Sequence, residues 1–174
     1  MKKIYLPLTK ESITGLKVGE ELLLSGVIYT ARDQAHKRLI ETIKKHKKLP
    51  IDLKSKIIYY CGPTATPKGK IIGSCGPTTA SRMDRFATIL IKAGVKGMIG
   101  KGRRSNEVTR AIKKHKAIYL LAPAGLGALL STKVKSKELI VYPELGPEAI
   151  YKLKVRDFPV IVGIDSRGKD IYKI

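Results

Sequence analysis

In the stretch Glu21-Leu22-Leu23-Leu24-Ser25-Gly26-Val27-Ile28-Tyr29-Thr30-Ala31-Arg32-Asp33-Gln34-Ala35-His36-Lys37-Arg38-Leu39-Ile40, one structural period gives way to another. Glu21 to Tyr29 is dense in β-formers and reads as a strand. Thr30-Ala31-Arg32-Asp33 has the form of a capping box, which makes Thr30 the expected N-cap. Ala35, Leu39, Ile40 and Ile43 then recur at helical spacing, so a helix is predicted to about Lys48. Leu49-Pro50 is the expected stop.

The same alternation runs outward from there. Lys56 to Cys61 is a strand rich in Ile and Tyr. Ser81 to Ala93 is a helix with Met83, Phe86, Ala87, Leu90 and Ile91 as its apolar stripe, and Gly94 fits its C-terminal cap. Val95 to Ile99 is a short buried strand, Asn106 to His115 a helix, and Ala117 to Leu121 a strand. Ala124 to Thr132 turns into a helix. Strands follow at Glu138 to Tyr142, Tyr151 to Val155 and Val160 to Ile164, with a last one near Asp170 to Tyr172. Leu6 to Glu20 reads as irregular. Interleaved strands and helices predict an α/β fold with a mixed sheet.

The 174 residues suffice for a single domain, 1–174, with a real core, and 43% of them are hydrophobic. No apolar run reaches the length of a membrane span. The start, Met1-Lys2-Lys3-Ile4-Tyr5-Leu6-Pro7, has no signal-peptide pattern, so a cytoplasmic location is expected. The formal charge is +21. Such a charge suits an anionic partner, or a lysine-rich surface of the thermophile kind. A nucleic-acid-binding protein is the different-class alternative. It lacks zinc-finger spacing, and aromatics at 6% leave few stacking platforms. Two cysteines, Cys61 and Cys75, cannot supply three thiolates to a cluster.

Cations stand where structure alone would not choose them. Arg32 and Arg82 are each placed in the first turn of a helix, near the positive end of its dipole. Lys101 lies between Gly100 and Gly102, just after a buried strand. A dicarboxylate held by both arginines and the lysine would explain all three, because Arg grips carboxylates bidentately. The plainer alternative pairs each arginine with a nearby Asp33 or Asp84. Thr78 and Thr79 are either caps or a hydroxyl that moves a proton beside the clamp. His36, one turn after Arg32, could face the same place; His46 and His115 read as solvated. The P-loop, dinucleotide and nucleophile-elbow patterns all fail.

Thr30-Ala31-Arg32-Asp33-Gln34-Ala35-His36-Lys37-Arg38, Gly73-Ser74-Cys75-Gly76-Pro77-Thr78-Thr79-Ala80-Ser81-Arg82-Met83-Asp84 and Ile99-Gly100-Lys101-Gly102 occur in that order in one known family. They resemble the β subunit, or C-terminal domain, of class I fumarate hydratase and the related tartrate dehydratase. The tail, with Arg156-Asp157-Phe158-Pro159 and Asp165-Ser166-Arg167-Gly168, is similar too. The resemblance implies a swivelling β/β/α three-layer domain and a hydro-lyase that hydrates fumarate to malate. It implies that Arg32, Arg82 and Lys101 bind the dicarboxylate and that Thr78 is the catalytic proton-transfer residue. It implies a 4Fe-4S cluster carried by a partner α subunit, no metal on this chain, and a hetero-oligomer of two α and two β chains. Two departures stand out: Ser81 where glycine is usual, and Cys75 where a small non-thiol residue is. Cys75 is therefore expected to be oxidation-sensitive.

Overall fold

A computed structural model describes residues 1–174. The strands are β1 (Lys2–Tyr5), β2 (Glu21–Thr30), β3 (Ile57–Tyr59), β4 (Gly97–Gly100), β5 (Ile118–Leu121), β6 (Val134–Val141) and β7 (Ile150–Ile164). The α-helices are α1 (Lys10–Gly15), α2 (Asp33–Lys44), α3 (Asp84–Lys92), α4 (Asn106–His115) and α5 (Gly127–Thr132). β1 to β5 run parallel in chain order. The long β7 returns antiparallel and pairs with β5, β6 and β2. Because β7 joins β5 back to β2, the sheet curls into a closed ring with β1 and β6 at its margins.

Both faces of β3, β4 and β5 are buried, so alternate residues feed two cores. Ile57, Tyr59 and Cys61 point into the interior of the ring, together with Ile99, Ile118, Leu120 and Phe158. Ile58, Tyr60, Met98 and Tyr119 point the other way, under the apolar stripes of α2, α3 and α4. Those stripes are the expected ones: Ala35, Leu39 and Ile40 on α2; Phe86, Ala87, Leu90 and Ile91 on α3. The result is sheet on sheet with helices outside, the α/β three-layer arrangement expected.

Several local expectations are corrected. Thr30 is not the N-cap of α2; Arg32 is, in extended conformation and without a side-chain cap bond. Thr30 is instead the fully buried last residue of β2. Its hydroxyl donates to the Ala149 carbonyl (3.4 Å) and accepts from the Tyr151 N–H (3.1 Å). The pull of that buried pairing with β7 outweighs a cap. α2 stops at Lys44, ahead of Leu49-Pro50, with His46 left-handed at φ 51°. The supposedly irregular start contains β1 and the six-residue α1, which Thr9 and Ser12 cap reciprocally. The two strands predicted on either side of Asp157 are one strand, kinked there at φ 49°. The last predicted strand is a 3-10 turn, Ile171–Lys173.

A candidate active site at the strand C-termini

Open parallel sheets present their ligand sites at the carboxyl ends of the strands. Here the ends of β2, β3 and β4 deliver Arg32, Gly62 and Lys101 to one edge. A long loop leaves β3 at Cys61 and returns at Thr78, whose N–H donates to the Tyr60 carbonyl (2.6 Å). The returning segment then lies along the end of β4. The Lys101 N–H donates to the Thr78 carbonyl (3.2 Å), and the Ala80 N–H donates to the Lys101 carbonyl (2.8 Å). Thr78 and Lys101 are therefore locked together by backbone bonds. The loop itself is closed at its neck, where the Thr64 N–H donates to the Ser74 carbonyl (3.0 Å) and Ser74 N–H to Thr64 Oγ1 (2.9 Å).

Arg82 lies in a 3-10 turn, Ala80–Met83, that precedes α3, and not within the first turn of α3. The two arginines meet through Asp33. Arg82 grips the Asp33 carboxylate with Nε (3.3 Å) and Nη2 (2.9 Å). Arg32 Nε lies 3.9 Å from Asp33 Oδ2 and 3.6 Å from Glu148 Oε1. So the arginines are brought together and, in the free chain, each is paired with a carboxylate. The Asp33 pairing was one of the alternatives open in the sequence; Glu148, from the turn before β7, carried no signal there. The side chain of Arg82 is half exposed and that of Thr78 half buried. None of the larger surface cavities is lined by Arg32, Thr78, Arg82 or Lys101. The edge is an open rim.

Gly62 makes the position of Arg32 achievable. A Cβ there would stand 2.9 Å from Arg32 Cδ, 3.0 Å from its Nη1 and 3.2 Å from the Pro147 carbonyl oxygen. Below the rim, His36 supports the Arg32 backbone. Its Nδ1 donates to the Arg32 carbonyl (2.7 Å). Its ring packs on Tyr60 and Phe86. His36 is fully buried, and burial lowers its pKa to about 4, so it is a neutral support and does not face the rim. Arg104 is a buried cation in the same layer. Asp84 Oδ1 accepts from its Nε (2.6 Å), Asp84 Oδ2 accepts from the Ser105 N–H (2.6 Å), and the guanidinium lies over the Tyr60 and Tyr119 rings. That knot ties the start of α3, next to Arg82, to the segment after Lys101. Sequence reasoning missed Arg104, since a second arginine after Gly102-Arg103 looks like surface charge.

A family model described as Fumarase C-terminus matches residues 1–174. The chain belongs to that family. Among the relatives of this fumarase C-terminus protein is one from Methanocaldococcus jannaschii, 40% identical over 99% of this chain and 92% of its own length. Its name assigns it provisionally as an L(+)-tartrate dehydratase subunit beta. The anaerobic class I fumarate hydratase of Escherichia coli is 44% identical over 90% of this chain. Fumarate hydratase 2 of Leishmania major is 38% identical over 94% of it. This chain spans only 29% of the length of each of those two fumarate hydratases.

The residues present do not fit a metal cluster. No three His, Cys, Asp or Glu side chains are grouped to hold an ion. Cys61 and Cys75 are both free and buried. Burial pushes the Cys75 thiol up to about 11 and the Cys61 thiol further still, against the thiolate form that ligation requires. The same burial corrects the expectation that Cys75 is oxidation-sensitive. No helix is long and apolar enough to cross a membrane.

Proposed function

We propose that this chain is the β subunit of a hydro-lyase that reversibly hydrates fumarate to malate, working with an α subunit that carries a 4Fe-4S cluster. The observation that carries the reading is the convergence of Arg32 and Arg82 on one carboxylate, that of Asp33, beside Thr78 and Lys101. Arg82 already grips that carboxylate at two points, and Arg32 Nε, buried beside it at 3.9 Å, is left without a hydrogen-bond partner. Substrate takes the clamp by exchange. One carboxylate of the dianion replaces Asp33 and Glu148 at the arginines, and Lys101 offers a third positive group for the other. Hydration adds hydroxide to one carbon of the double bond and a proton to its neighbour. We assign that proton transfer, on this chain, to Thr78 Oγ1. A threonine hydroxyl is too weak a base alone, so a carboxylate of the α subunit must activate it. The open rim is consistent with a site that a second chain completes, in a hetero-oligomer of two α and two β chains located in the cytoplasm.

Tartrate dehydration is the second reading, favoured by a relative of nearly matching length whose name is that of a separate β subunit. Both substrates are four-carbon dicarboxylates, and the clamp serves either. The test is turnover of fumarate, malate and tartrate by this chain purified with its α partner and alone. The pair is expected to be active and the single chain inactive. Arg82→Ala in the pair removes one charged, two-point contact. About 1.5–3 kcal/mol is lost from transition-state binding, on the order of ten- to a hundredfold in kcat/KM. Unchanged turnover by the Arg82→Ala pair would end the clamp assignment.

A further inference from the structure

The opposite end of the sheet carries a second concentration of positive charge that the proposed hydro-lyase chemistry does not use. A cavity of about 320 Å³ opens where the chain enters β3, β4 and β5. Lys10, Ser55, Lys96, Lys114, His115 and Lys116 line its polar side, and no carboxylate lines it. We propose that this cavity is a binding site for a small multivalent phosphate-class anion, separate from the rim at the strand C-termini.

The lysines arrive from different elements, so no single helix explains them. Lys10 opens α1, Lys96 leads into β4, Lys114 lies in the last turn of α4 and Lys116 leads into β5. The dipole at the C-terminus of α4 favours Lys114, but it does nothing to recruit Lys10. Elsewhere in the molecule six cations, Arg32, Arg38, Arg82, Arg104, Lys152 and Arg167, are ion-paired. Here Lys96 finds a backbone carbonyl, that of His115, at 2.5 Å. The His115 ring nitrogen Nε2 is shielded from solvent and has no protein partner. Burial, then the charges of Lys114, Lys96 and Lys92, hold that imidazole below its ordinary pKa range.

The backbone is shaped to the same place. Ser55 and Lys116 both line the cavity, Lys116 as the left-handed C-cap that ends α4 at φ 51° and Ser55 left-handed at φ 61° with its N–H donating to the Gly94 carbonyl (2.9 Å). A cluster of like charges with a shielded nitrogen, on a fixed backbone, lowers its energy on taking up an anion of two or more charges. The volume suits a small ligand. Phosphate oxygens would accept from the ammonium groups and the Ser55 hydroxyl.

The test is calorimetric titration of the full chain with inorganic pyrophosphate at constant ionic strength. Lys10→Glu/Lys114→Glu reverses two charges at the cavity. Lys44→Glu/Lys45→Glu makes the same change in net charge at the end of α2. Saturable binding is expected, weakened about tenfold or more by the first pair and less than about twofold by the second. A melting temperature within about 2 °C of the parent shows that the first variant is folded. Should it melt earlier, Lys114→Gln replaces it, with an expected weakening of about threefold. No saturable binding, or equal weakening by both variant pairs, would overturn the site.

Discussion

Asp84→Asn asks the most of the structure for the least change in shape. Arg104 has a side chain wholly removed from solvent, and its partner Asp84 is nearly so. Burial by itself would lower the guanidinium's pKa, but Tyr60, Asp84 and Tyr119 outweigh it and keep the group charged. Neutralising Asp84 therefore leaves a buried cation with no counter-ion. Such orphaned charges cost about 3–5 kcal/mol. The Tyr60 and Tyr119 faces stay in contact with the guanidinium and keep the loss at the low end of that range, about 3 kcal/mol. For a chain of this size, that corresponds to a fall of roughly 6–12 °C in melting temperature. Circular dichroism melts and urea titration of the parent and variant measure it directly. Replacing both partners, Asp84→Leu with Arg104→Met, removes the charge along with its partner and should recover most of the loss. A loss below about 1 kcal/mol for Asp84→Asn alone would refute the reasoning. It would mean that Arg104 reaches water or a second anion.

Gly62→Ala should act on Arg32 while sparing the fold. The new methyl group meets the flexible Arg32 side chain first, at 2.9 Å. Steady-state kinetics of the two-subunit enzyme should show KM raised and kcat/KM down on the order of ten- to a hundredfold, with melting nearly unchanged. His36 should make the chain acid-sensitive. The unfolded histidine takes up a proton near 6.5 and the folded one only near 4. Stability is then full above that window and falls as pH drops through it, by about 3 kcal/mol. Urea titrations from pH 7 to 4 should show a flatter acid limb for His36→Gln than for the parent. Cys61 and Cys75 should resist iodoacetamide at pH 8 in the folded chain and both react in urea, read by mass spectrometry.

The elements most legible in the sequence were those with long single periods. α2 and α3 fall where Ala35, Leu39 and Ile40, and Phe86, Ala87, Leu90 and Ile91, recur at helical spacing, and β3, β4 and β5 fall where short apolar runs lie between helices. Short or composite elements were not legible. α1 has only six residues, and its cap pairs Thr9 with Ser12 where glutamate or glutamine marks the usual box. β7 looked like two strands because Asp157 and Pro159 resemble a turn, yet β2 holds both halves in one ladder. Thr30 fitted a cap by local pattern, but the carbonyl of Ala149, distant in sequence, captured its hydroxyl. At the rim, the unusual placement of Arg32, Arg82 and Lys101 was visible as cations at the ends of elements. The carboxylates that meet the arginines were visible only in part. Asp33 is next to Arg32 in sequence, while Glu148 is far from it and reaches it through folding alone. Arg104 hid for a similar reason: a buried charge and a surface charge are written with the same letter.

The central claim is that Arg32, Arg82, Lys101 and Thr78 form one dicarboxylate site completed by an α subunit. A crystal structure of the two-subunit enzyme with a bound dicarboxylate inhibitor tests it most directly. The expected result has Arg82 and Arg32 released from Asp33 and Glu148, with their nitrogens and Lys101 Nζ within about 3 Å of inhibitor carboxylate oxygens. Thr78 Oγ1 should then stand beside a carboxylate of the α subunit. An inhibitor bound elsewhere, with Asp33 still held by Arg82, would contradict the account.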